Sequence, residues 1–154
     1  MPIRLSKLGR PISTWRTITP AKGDFNVAYD ITIGPHKTST TWAHGAEVMV
    51  WLTTRGHPVP LGPVVARHVQ VSGSLYTVHM LPRPPRTDYW TVVTFVREQP
   101  AQSVANLNLG RVLRLAEKFG SIPATMYLVR VQAGIEIIKG GRGFATTYFS
   151  YLHG

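Results

Sequence analysis

The sequence predicts an all-β sandwich with one helix packed on it, and three observations carry that reading. Apolar and polar residues alternate over most of the chain, the pattern of strands with one buried face. Turn-forming stretches separate these segments: Ser72-Gly73-Ser74, the proline-rich 82–85, and Gly140-Gly141-Arg142-Gly143. One stretch departs from period two. Over 108–119, Leu109, Val112, Leu113, Leu115, Ala116 and Phe119 recur at helical spacing, with Gly120 as a stop and Pro123 shortly beyond. A chain of 154 residues with 44% hydrophobic content suits one folded domain with a real core.

Taken in order, 25–33, 46–53, 64–71, 75–81, 89–96, 126–138 and 144–152 read as strands. In 25–33, Phe25, Val27, Tyr29, Ile31 and Ile33 share one face, and Asn26, Ala28, Asp30 and Thr32 the other. In 46–52, Ala46, Val48, Val50 and Leu52 form a core face, with Glu47, Met49 and Trp51 opposite. Ser72-Gly73-Ser74 is short enough to make 64–71 and 75–81 a hairpin. In 89–96, Trp90 falls with Val92, Thr94 and Val96, which reads as core packing. In the long strand, Val129, Val131, Ala133, Ile135 and Ile137 oppose Arg130, Gln132, Gly134 and Glu136, with Ile138 continuing the polar side. The glycine cluster 140–143 reads as a hairpin loop rather than a phosphate cradle. Trp15 suits core or groove, and Trp42, in a turn-like stretch, suits partial exposure.

Charge and composition exclude several classes. Seventeen Lys and Arg against seven Asp and Glu give a net charge of +10, but the basic residues are scattered and form no basic helix or arm. Nucleic acid is therefore not expected as a partner. No apolar run reaches the roughly 18 residues of a membrane-spanning helix. Arg4, Lys7 and Arg10 are followed by no apolar stretch, so no signal peptide is read. Without cysteine there are no disulfides or thiolate metal sites, and the six histidines show no metal-ligand spacing. No Gly-x-Ser-x-Gly elbow marks a serine hydrolase.

The informative residues are Glu47 and Glu136, two of the seven carboxylates, each inside an apolar strand. A carboxylate there must find partners or shift its pKa. Alternation moves both to the polar faces of their strands, with Asp30 on a similar face. Two carboxylates across a sugar-sized groove are the equipment for glycoside hydrolysis, and Trp51 offers a flat apolar surface for a pyranose ring. Alternation alone leaves open the alternative that each is simply solvated.

Local sequence adds a resemblance. Glu47-Val48-Met49-Val50-Trp51 resembles the nucleophile motif of glycoside hydrolase family 12, the small secreted cellulases and related β-glucanases. Val27-Ala28-Tyr29-Asp30-Ile31 lies at the family's usual distance before it, and Pro58-Val59-Pro60-Leu61-Gly62 resembles the turn after it. Val131-Gln132-Ala133-Gly134-Ile135-Glu136, the glycines 140–143 and Tyr148-Phe149-Ser150 resemble the acid/base segment and closing strand. The resemblance implies a β-jelly roll with a substrate groove and a retaining mechanism on β-1,4-glucan, as in a cellulase. It implies Glu47 as nucleophile, Glu136 as acid/base and Asp30 as an acidic residue contacting the nucleophile. It implies Met49, Trp51 and Pro60 as substrate-binding residues, no metal or organic cofactor, a β-glucan partner and an extracellular location.

The match has two departures. The family carries further N-terminal strands before the segment resembling 12–33. The expectation is therefore a short segment 1–11 and a partial catalytic domain over 12–154, the C-terminal part of a family domain. A separate N-terminal fragment is then a candidate partner. Uncovered edges would favour association or aggregation and lower turnover. Second, Ile137 and Ile138 stand where the family tends to place Pro and an aromatic. The alternative function is an inactive remnant or a carbohydrate-binding β-sandwich.

Overall fold

The computed structural model describes residues 2–153. Its strands are β1 (Ile3–Arg4), β2 (Ile12–Ile18), β3 (Asp24–Gly34), β4 (Ala46–Arg55), β5 (Val64–Val71), β6 (Ser74–Leu81), β7 (Thr91–Arg97), β8 (Ser103–Asn108), β9 (Tyr127–Lys139) and β10 (Ala145–Leu152), with helix α1 (Leu109–Gly120). They form a jelly-roll β-sandwich. A seven-stranded sheet runs β1-β9-β3-β4-β7-β6-β5, and a three-stranded sheet runs β10-β2-β8. Neighbours are antiparallel except β4 and β7, which are parallel.

Alternation decides what lies between the sheets. Val27, Tyr29, Ile31 and Ile33 of β3, Ala46, Val48, Val50 and Leu52 of β4, and Val93 and Phe95 of β7 are fully buried. Trp15 of β2 closes on them, its ring edge-on to Tyr29 at 5.3 Å. Ser13 donates to the Ser150 carbonyl at 2.7 Å and receives the Tyr29 hydroxyl at 3.0 Å, a polar tie between the two sheets. Burial pushes the Tyr29 hydroxyl up to about 12, so it stays a donor. Helix α1 buries Leu109, Val112, Leu113 and Ala116 and lies against β7, also touching β2, β5 and β6. Asn108 caps it by accepting from the Arg111 amide at 2.9 Å. Its C-cap is Ser121, in the left-handed region, one residue beyond the expected Gly120. Among the described residues no helix is long and apolar enough to cross a membrane.

The predicted strands, the hairpin and the helix are all present. Ser72 and Gly73 both take positive φ, as a two-residue hairpin turn requires. Three strands escaped the sequence reading. The inward residues of β2 are Ser13, Trp15 and Thr17, while Ile18 points out, so its polarity is inverted. In β8 the buried Val104 and Leu107 are three apart because Asn106 takes positive φ in a bulge that breaks period two. β1 is only two residues long. The 140–143 glycines, expected as a hairpin loop, instead carry the chain between sheets, since β9 pairs β3 and β10 pairs β2. Phe144 sits edge-on to Phe25 at 4.7 Å and packs this crossing against the core.

Gly45 fixes the start of β4. Its amide donates to the Trp42 carbonyl at 2.7 Å, and its carbonyl accepts from Thr91 at 3.2 Å. A Cβ here would collide with the carbonyl oxygen of Ile33. Gly45→Ala is therefore expected to cost about 1–3 kcal/mol as overpacking against backbone, read as a lower urea midpoint at unchanged slope.

Candidate active site

The outer face of β9, β3, β4 and β7 forms the floor of a cleft. Register sets which side chains meet there. Glu136 lies beside Asn26, Thr32 beside Glu47, and Asp30 between Gln132 and Met49. On the far side Glu47 lies beside Val92 and Met49 beside Thr94. Glu47 and Glu136 line one cleft of about 410 Å³ together with Asn26, Met49, Trp51, His57, Val59, Leu61, Thr94 and Ile138. Met49 and Trp51 pack with Ala28 and Val96 in a cluster separate from the main core. The Trp51 indole N–H donates to the Met49 sulfur at 3.4 Å, which holds the two as one platform.

The structure thus brings Glu47, Glu136, Met49 and Trp51 together. Asp30 adjoins them in a second depression bounded by Ala28, Met49, Gly134 and Glu136. Among the described residues no hydrogen bond joins Asp30 to Glu47, and Asp30 Oδ1 is buried without a partner. The two carboxylates interact through charge rather than the expected direct contact. Pro60 is not among the residues that line the cleft; its neighbours Pro58, Val59 and Leu61 are. Ile138 lines the cleft at 65% exposure and offers an aliphatic surface.

Two partners of the glutamates went unnoticed in the sequence. The buried Asn26 donates through its amide to Glu136. Trp90, expected in the core, instead donates its indole N–H to Glu47 Oε2 at 2.9 Å. Trp90 leads into Val92, Thr94 and Val96, and both faces of β7 are apolar, so alternation found the set but not its side. The parallel pairing with β4 decides it, placing Val93 and Phe95 in the core and Val92 and Thr94 in the cleft. Trp42 is half-buried and stacks on Trp90; Trp15 belongs to the core. Among the described residues no cluster of three His, Asp or Glu is placed to hold a metal ion.

Comparisons with known proteins follow the same lines. The sequence model of glycosyl hydrolase family 12 matches residues 14–152. The fold is similar to a metagenome-derived glycoside hydrolase family 12 endoglucanase, with a TM-score of 0.90 and 33% identity over 100% of this chain and 65% of that one. It is similar to endoglucanase Cel12A from Rhodothermus marinus, with a TM-score of 0.88 and 31% identity over 98% of this chain and 65% of that one. A family 12 xyloglucanase from Bacillus licheniformis matches with a TM-score of 0.84 and 26% identity over 97% of this chain and 64% of that one. The chain therefore spans about 65% of the length of these solved relatives. No curated protein matches it in sequence.

The cleft's electrostatics follow from burial and like charge. Burial raises the Glu47 pKa above its ordinary 4.5, and the charges of Asp30 and Glu136 add to this, while the Trp90 N–H opposes it. Burial also raises Asp30, with Glu136 adding and Arg130 opposing. A raised folded-state pKa means that the folded protein holds the proton more tightly than the unfolded chain. That stabilisation is fully present below the unfolded pKa and is lost as pH rises through the folded pKa. At neutral pH, above the ordinary pKa, Glu47 thus costs stability. Glu47→Gln is expected to raise the melting temperature at pH 7, with the difference shrinking toward zero below pH 4.5. Melts of both proteins across pH 3–8 check it.

Proposed function

Because the chain belongs to glycosyl hydrolase family 12, we propose that it hydrolyses β-1,4-glucosidic bonds of β-glucans by a retaining double displacement. The observation that carries this reading is the placement of Glu47 and Glu136 in one cleft, over a floor containing Met49 and Trp51. In this reading Glu47 is ionised and attacks the anomeric carbon. The glycosidic C–O bond breaks as Glu136 gives its proton to the leaving oxygen, and a glycosyl ester forms on Glu47. Glu136, now a carboxylate, takes a proton from water. The oxygen of that water attacks the anomeric carbon and releases Glu47 unchanged. A retaining pair stands about 5–5.5 Å apart, the separation this chemistry requires.

The supporting residues have physical tasks. Asn26, buried and donating to Glu136, limits the directions that the acid/base carboxylate takes. Asp30 sets a second carboxylate near Glu47, and its charge favours the acid form of Glu47, so the protonation of one bears on the other. Trp51 and Met49 present an apolar surface to the faces of sugar rings. Double displacement by two carboxylates calls for no metal or organic cofactor. The substrate is a β-glucan chain, and a polysaccharide substrate places the enzyme's work outside the cell.

A second reading, sugar binding without turnover, is favoured by one observation. β1 pairs with β9 only at Tyr127 and Leu128. Beyond these β9 is hydrogen-bonded to β3 alone among the described strands, and Glu136 is exposed on it. Glu47→Gln separates the two readings. It is expected to lower hydrolysis of a soluble β-glucan by roughly a thousandfold or more while oligosaccharide binding persists. Equal release of reducing sugar by wild type and variant would remove Glu47 as nucleophile; binding with no turnover by the wild type would establish the second reading.

A further inference from the structure

The indole of Trp90 is held on two sides. Its N–H donates to Glu47 Oε2 at 2.9 Å. Its ring lies on Trp42 with centroids 5.3 Å apart and planes inclined by 28°, and Tyr89 meets it edge-on at 6.3 Å. The two stacked residues precede adjacent parallel strands, Trp42 before β4 and Trp90 before β7. The same junction is closed by the Thr91 amide donating to the Gly45 carbonyl. Ring and backbone are therefore both fixed where the donor meets the carboxylate. Among the described residues this is the one hydrogen bond that Glu47 receives.

The neighbours of Glu47 give that bond its importance. Asp30 reaches it by charge from β3 and Glu136 from β9. Arg130 of β9 acts on Asp30. His57 lines the same cleft and is itself tied to Asp24 at 3.1 Å. From β7 come only Val92 and Thr94, which do not titrate. An indole N–H is a donor at every working pH and never an acceptor, so it favours the carboxylate over the acid.

We propose that Trp90 is the positioning residue of Glu47. Its N–H fixes one carboxylate oxygen and leaves Oε1 as the oxygen available to substrate, with Trp42 as the clamp that keeps the indole in place. The role rests on Glu47 being the nucleophile of the proposed reaction, but the contact has its own readout.

In the full chain, Trp90→Phe keeps a ring against Trp42 and removes the donor. By carbon-13 NMR of the glutamate carboxyls, Glu47 is expected to titrate at higher pH in Trp90→Phe than in wild type. The signal is assigned by its loss in Glu47→Gln. The wild-type Trp90 indole N–H resonance is expected to move with that titration and to stop moving in Glu47→Gln. On a soluble β-glucan, kcat is expected to fall about tenfold with KM within about twofold, and the acid limb of the pH profile to shift upward. An unchanged Glu47 titration in Trp90→Phe overturns the proposal, whether or not the wild type hydrolyses glucan. Should Trp90→Phe fail to fold, an indole resonance blind to Glu47 ionisation in the wild type overturns it equally. The expected titrations in a protein without turnover leave the contact standing and count against the hydrolase reading instead.

Discussion

β3 is hydrogen-bonded to β4 on one side and to β9 on the other over nearly its full length, and most side chains of both its rows are buried. Its inner face carries the apolar row that the smaller sheet and its neighbours enclose. Its outer face carries Asn26, Ala28, Asp30 and Thr32, and it is across this row that Glu136 and Glu47 approach one another. A strand with period-two side chains buried on both faces tolerates no slip in register. A shift by one residue would turn Asp30 into the core and Tyr29 into the cleft. The position of every carboxylate in the cleft therefore depends on the same alternation that builds the hydrophobic core. Folding energy and site geometry share one constraint.

How much of this was legible in the sequence depends on whether one strand suffices to read it. The faces of 25–33 and 46–52 are clear because each sets a uniformly apolar row against a row with polar members. The long strand carrying Glu136 is clear from Arg130 onward; a bulge at Val129 puts Leu128, not the expected Val129, in the core. Glu47 and Glu136 were found for that reason. β2 was illegible because Ser13 and Thr17 are buried by partners from other strands, and no local pattern announces a buried serine bonded to a tyrosine sixteen residues away. β8 was illegible because a bulge changes its period. Trp90 was assigned to the wrong side because both rows of β7 are apolar. Only its parallel pairing with β4, a long-range fact, decides which row is the core.

The same distinction separates the site's first residues from its second. A carboxylate in a strand signals itself by chemical incongruity. Its partners, Asn26 beneath Glu136 and Trp90 beside Glu47, are ordinary strand and loop residues until the fold brings them within hydrogen-bonding distance. Asp30 shows the converse. It was visible as an acidic residue on the correct face, yet it makes no hydrogen bond to Glu47 and acts through its charge.

Glu47 is consequently under opposing influences whose balance decides what the cleft can do. Burial and two neighbouring carboxylates favour its acid form; a single neutral N–H favours the carboxylate. A nucleophile must be ionised when substrate arrives, and it must not be so well solvated that attack becomes slow. In the proposed role of Glu47 as nucleophile, its partial burial limits its solvation, and a single donor that cannot itself take up the proton opposes the rise of its pKa. The stability lost at neutral pH and the reactivity gained have the same origin, so a change that relieves one is expected to diminish the other. The alternation that sets Glu47 in the cleft wall, rather than in solvent or core, creates that tension.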